Sequence, residues 1–153
     1  MRLIAAVLLL AGFALPAGGP IGFHYWPTSQ LHSFAKTLGP RIGSQKVISE
    51  SLGAHGNYSF LAMYRTASGE AEWHENVADI MVFQTGTGTL VVGGEIENAR
   101  TTEAHEKRGT GIRGGIETKV GPGDIVTVPK ATPHQVKLEP GTQITYFAAK
   151  VTQ

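Results

Sequence analysis

The sequence contains no cysteine. No disulfide can staple the fold, and no thiolate can serve as nucleophile, redox centre or metal ligand. Excess charge is missing too: 13 basic and 12 acidic side chains in 153 residues leave a formal charge of +1. With no basic stripe, that balance argues against a nucleic-acid partner. Internal repeats and low-complexity tracts are also lacking, and the length suits one domain with a sizeable core.

What the chain does have starts with an apolar leader. Arg2 gives a short positive start, residues 3–15 are uninterruptedly apolar, and Pro16-Ala-Gly-Gly19 supplies small residues where a peptidase could cut. The run is short for a spanning helix, which needs about 20 apolar residues. Residues 1–20 therefore read as a secretory signal, with an uncleaved anchor as the alternative. The expectation is a secreted or periplasmic protein with no stable membrane association after cleavage. No cysteine follows the leader, so a lipoprotein anchor is excluded.

Residues 21–44 read as an arm and a short helix. Thr28 or Ser29 could cap it, Leu31, Phe34, Ala35 and Leu38 share helical spacing, and Gly39-Pro40 stops it. Residues 45–153 then read as one β domain. Strands are expected over 46–49, 58–66, 70–74, 79–84, 89–93, 125–128, 134–138 and 144–151. In the second of these, Tyr58, Phe60, Ala62 and Tyr64 share one face while Leu61 and Met63 share the other, which suits a sheet packed on both sides. Thr85-Gly-Thr-Gly88 reads as a hairpin turn. Residues 95–121 show no period and read as a long, functional or mobile loop.

Several motifs dissolve on inspection. Gly109-Thr-Gly-Ile-Arg-Gly114 spells G-x-G-x-x-G, but no helix follows to meet a phosphate, so it reads as flexible loop. His74-Glu75 opens like a zinc-protease helix, yet position 78 is Ala78. No nucleophile-elbow pattern occurs.

The informative residues are four. Glu72 and His74 are two apart, so on a strand they project from one face. Asp79 heads the next strand, and His134 opens another after a proline-rich turn. Two imidazoles and a carboxylate on adjoining strands can hold one side of a divalent metal and leave positions open for substrate, water or dioxygen.

These two segments resemble the cupin family. Its first motif, G-x5-H-x-H-x3,4-E-x6-G, is met with Glu72 at the first His, then His74, Asp79 at the Glu, and Gly86. Its second, G-x5-P-x-G-x2-H-x3-N, is met at Gly123, Pro129 and His134, with Ala131 for the Gly and Leu138 for the Asn. The resemblance spans residues 57–151 and implies an all-β, antiparallel jelly-roll barrel with a short N-terminal helix. Small cupins resemble homodimers that pair sheet edges or swap an N-terminal strand, here residues 46–49.

The resemblance further implies one divalent metal held by His74, Asp79 and His134, with Glu72 as fourth ligand or general base. Two carboxylates favour Fe(II), Mn(II) or Zn(II), and copper is also compatible. The leading expectation is a metal-dependent oxidoreductase, dioxygenase-like, acting on a small molecule or sugar in the barrel mouth. The alternatives are an isomerase or lyase, a copper enzyme oxidising polysaccharide, a non-catalytic ligand-binding cupin, and a structural dimer with a filled barrel.

The remaining candidates are weaker. His55 could fold over the mouth but reads better as a loop residue, and His105 belongs to the charged loop. His24 and His32 are expected to cover the barrel's outer face or a partner subunit. Trp73 and Glu75 should point away from His74, and Tyr64, Met81, Phe83 and Tyr146 read as core or pocket wall.

Overall fold

The structure is a computed structural model that describes residues 19–153. The expected signal, apart from its last two residues, lies outside the described residues. Helix α1 (Thr28–Leu38) forms where its apolar spacing places it. Its cap differs from expectation: Pro27 stands at the N-cap in an extended conformation, with no side-chain cap bond from Thr28 or Ser29. Proline's fixed φ leads the chain into the first turn without a hydroxyl.

Thirteen strands follow among the described residues. They are β1 (Val47–His55), β2 (Tyr58–Arg65), β3 (Ala71–His74), β4 (Val77–Gly86), β5 (Gly88–Val92), β6 (Glu95–Glu97), β7 (Arg100–Glu103), β8 (Glu106–Gly109), β9 (Gly111–Arg113), β10 (Ile116–Val120), β11 (Ile125–Val128), β12 (His134–Lys137) and β13 (Ile144–Thr152). A five-stranded sheet, ordered β1-β2-β13-β4-β11, faces a six-stranded sheet, ordered β10-β5-β12-β3-β8-β7, and β6 pairs with β9 beside them. This is the expected antiparallel jelly roll.

The core lies between the two sheets. Met81 and Phe83 of β4 and Tyr146 and Ala148 of β13 pack there with Leu90, Val120 and Val136 from the opposite sheet. The outer face of the five-stranded sheet is covered as well. Phe34 and Leu38 of α1 sit on Ala62, with Ile48, Leu52 and Tyr64 around them. That second layer is why β2 is apolar on both faces. The arm before α1 completes it: His24 stacks on Trp26 at 5.3 Å between ring centroids, and Trp26 packs against Phe60 and Phe147.

Three expectations are corrected. The Thr85–Gly88 stretch is not a hairpin, because β4 and β5 belong to opposite sheets. Gly86, at φ +73°, carries the chain across so close to Gln143 that a Cβ would meet its carbonyl oxygen at 1.8 Å. The first strand runs on to His55 rather than ending at Ser49, accommodating Gly53 at a bulge, and it pairs with β2. Residues 95–121 are not a loop: they form β6 to β10, and β8 extends the six-stranded sheet by pairing with β3. The G-x-G-x-x-G glycines lie within this folded segment, with Gly109 so close to Ile96 that a Cβ would meet it at 2.2 Å.

Candidate metal centre

Alternation along β3 aims Glu72 and His74 into the barrel. β12 brings His134 level with Glu72, and β4 delivers Asp79 from the facing sheet. The four sequence-predicted residues therefore converge. His74 Nε2 lies 3.5 Å from Glu72 Oε2 and 3.4 Å from Asp79 Oδ2, and His134 Nε2 lies 3.8 Å and 3.2 Å from the same two oxygens. Glu72, His74 and His134 offer ligand atoms all within 4.8 Å of one another.

Outer partners fix both imidazoles. His74 Nδ1 donates to the Glu106 carboxylate, and His134 Nδ1 donates to the Thr132 carbonyl at 3.1 Å. Each ring thus turns Nε2 to the centre, as metal-binding histidines do. His134 Nε2 is buried and has no hydrogen-bond partner. A buried, unpartnered acceptor facing two carboxylates is costly unless a cation meets it, so the donor set fits a divalent metal. The turn before His134 shows what the departing motif residue costs: Ala131 adopts φ +55°, where the motif has glycine.

Charged neighbours balance the carboxylates. Glu72 pairs with Arg108 and lies 3.6 Å from Arg65, whose Nε donates to the Tyr146 hydroxyl at 2.8 Å. Lys150, opposite Asp79 in the β13–β4 register, donates to Asp79 Oδ1 at 2.8 Å and lies 3.2 Å from His74 Nε2. Burial opposes ionisation of Asp79 and Glu72, yet the imidazoles and cations around them hold both well below the usual carboxylate range. Burial also opposes a charged His74, but Asp79 and Glu72 outweigh it and raise the imidazole to about 9, with Lys150 pulling the other way.

That raised value makes a pH prediction for the metal-free protein. His74 binds its proton more tightly folded than unfolded, so its stabilisation is complete below about pH 6.5 and is lost as pH rises through about 9. Melting temperatures of metal-free protein should fall across that window, and His74→Gln should flatten the fall. An unchanged slope in the variant would rule the assignment out.

A cavity of about 190 Å³ adjoins the centre. Leu61, Met63, Met81 and Ala148 give it apolar walls, while Arg108 and Lys150 reach its polar end. It shares Ser49, Met63, Arg65, Glu72 and Arg108 with an outer pocket of about 430 Å³ that begins at β1. A cavity of about 670 Å³ elsewhere touches none of the four converging residues.

The weaker candidates stay outside. His24 packs on the outer face as expected, whereas His32 is exposed. His55 lies against Tyr58, and exposed His105 pairs with Glu75. Trp73 points away under Lys107. Tyr64 lies beneath α1, Phe83 is core, and Met81 and Tyr146 line the small cavity. Four residues escaped the sequence reading: Arg65, Glu106, Arg108 and Lys150. Glu106 and Arg108 alternate as Glu72 and His74 do, and Lys150 ends the inward series Ile144, Tyr146, Ala148.

No family model matches the sequence, and no curated protein matches it significantly. Solved structures do match the fold. A predicted oxalate decarboxylase from Thermotoga maritima aligns at 15% identity over 70% of this chain and 81% of that one, with a TM-score of 0.52. A cupin-2 domain from Rhodospirillum rubrum aligns at 16% identity over 71% and 62% of the two chains, with a TM-score of 0.51. The polyketide cyclase RemF from Streptomyces resistomycificus aligns at 15% identity over 71% and 67%, with a TM-score of 0.50. The chain has the cupin fold that its two motifs foreshadow.

Proposed function

We propose that this protein is a secreted, metal-dependent cupin enzyme that acts on a small molecule or sugar in the barrel mouth. The observation that carries the reading is the convergence of Glu72, His74 and His134, with His134 Nε2 buried and unpartnered. These three would hold one divalent iron, manganese, zinc or copper ion, with Asp79 able to complete the set. Such an ion supplies a Lewis acid or a dioxygen site, and oxidoreductase chemistry is the first choice.

The chain's own residues do the rest. The walls of Leu61, Met63, Met81 and Ala148 exclude water from an apolar part of the substrate. Arg108 and Lys150 orient a polar group at the other end. Glu72, held ionised, can accept a hydrogen bond from a substrate hydroxyl when it is not a ligand. Enzymatic neighbours of the same fold, a predicted decarboxylase and a cyclase, support catalysis over mere binding. The apolar leader supports secretion, and the open edge of β1 supports edge-to-edge pairing as a homodimer.

One observation favours a second reading. The Lys150–Asp79 ion pair already neutralises a carboxylate of the centre without a metal, which suits a ligand-binding barrel. Elemental mass spectrometry on untagged protein, as purified and after incubation with each metal, separates the two. About one ion per chain is expected. Protein that stays empty in every metal would leave the binding module as the better reading.

A further inference from the structure

With both imidazoles neutral, as metal ligands must be, the centre is charge-balanced by its own side chains. Three carboxylates, Glu72, Asp79 and Glu106, face three cations, Arg65, Arg108 and Lys150. A divalent ion added to that set would leave two uncompensated positive charges in a largely buried site, which is expensive. One resident cation has to leave.

The three are not equally free to do so. Arg65 is buried at 8% exposure and tied to Tyr146, and Arg108, although 31% exposed, rests on Glu72 Oε1 while the imidazoles face Oε2, so it does not stand where a metal would meet their Nε2 atoms. Lys150 is 30% exposed and holds a single carboxylate, Asp79, itself 2% exposed. Its ammonium sits on Asp79 Oδ1, on the same carboxylate whose Oδ2 faces both imidazoles, and lies 3.2 Å from His74 Nε2, an atom that itself faces the centre. It also has somewhere to go. Lys150 lines a second cavity of about 250 Å³, on the other side of Arg108, whose wall carries Glu103 and Glu106. A four-carbon stem can swing its ammonium there while its apolar part stays packed.

Building on the metal reading above, we propose that Lys150 is a displaceable place-holder: its ammonium occupies the cation position at Asp79 until a divalent metal expels it toward Glu103 and Glu106. Lys150 then sets how tightly the site holds metal, and it keeps Asp79 neutralised when metal is scarce. Metal and ammonium compete for one carboxylate, so removing the ammonium should strengthen metal binding rather than weaken it.

The test is titration of metal-free full chain with Zn(II) and Mn(II) against a chromophoric chelator, for the native protein, Lys150→Gln and Lys150→Met. Lys150→Gln keeps an amide donor for Asp79 and guards against misfolding in Lys150→Met, with circular dichroism as the check. Both variants are expected to bind at least tenfold more tightly than the native chain, and to show a larger rise in melting temperature on adding metal. Equal or weaker binding in folded variants, with the native chain binding normally, overturns the place-holder and leaves the metal centre standing. No binding in any of the three proteins overturns both.

Discussion

His134→Ala is expected to empty the metal centre while leaving the barrel folded. The imidazole makes one hydrogen bond, from Nδ1 to the Thr132 carbonyl two residues away, and its Nε2 makes none, although it lies 3.2 Å from Asp79 Oδ2. Its removal costs the fold that local hydrogen bond, about 1 kcal/mol, and the packing of a buried ring, at a polar site where water can fill the space left. The neighbouring Asp79 keeps its ion pair with Lys150, so no buried charge is stranded. For the metal the loss is large. Outer partners of a metal site are worth about 10–100-fold in affinity, and a direct ligand should be worth more than that range. Elemental analysis should show the variant stripped after mild chelation that spares the native protein, with unchanged circular dichroism. A folded variant that retains a full complement would remove His134 from the ligand set.

How far such a site can be read from sequence depends on which side chains carry a local signal. Glu72 and His74 stand two apart on a short strand, and Asp79 and His134 keep motif spacing, so all four were legible. The strands of the core were legible from apolar runs bounded by turn signals in β2, β4 and β13, with inward alternation clear at Asp79, Met81 and Phe83 of β4. Residues 95–121 were not. Their strands are three to five residues long and mostly exposed, so no apolar period marks them. What makes them strands is tertiary: β8 gains its hydrogen bonds from β3, a partner more than thirty positions earlier. That pairing carries Glu106 and Arg108 to the centre, level with His74 and Glu72. Lys150 was hidden differently. A lysine near the end of a strand usually reaches solvent, and only the register against β4 sets it on Asp79.

The register that brings Arg108 to Glu72 also makes Glu72 a structural residue, and this yields the second large effect. Glu72→Gln is expected to destabilise the metal-free protein by about 3 kcal/mol, the low end of the range for removing one partner of a buried pair. Glu72 is 18% exposed and Arg65 8%, so the pair is not the screened surface kind that contributes little. Arg108, at 31% exposure, can turn to water when its carboxylate is neutralised. Arg65 cannot: it would keep only neutral partners for a buried cation, the Tyr146 hydroxyl and ring and the new amide oxygen. Arg65→Met on top of Glu72→Gln should then restore much of the stability without restoring metal, which separates the two roles of Glu72. Urea denaturation of the three metal-free proteins reads the stability, and elemental analysis reads the metal. If Glu72→Gln unfolds at the native midpoint, Arg65 does not depend on Glu72, and the carboxylate's role reduces to that of a ligand or base.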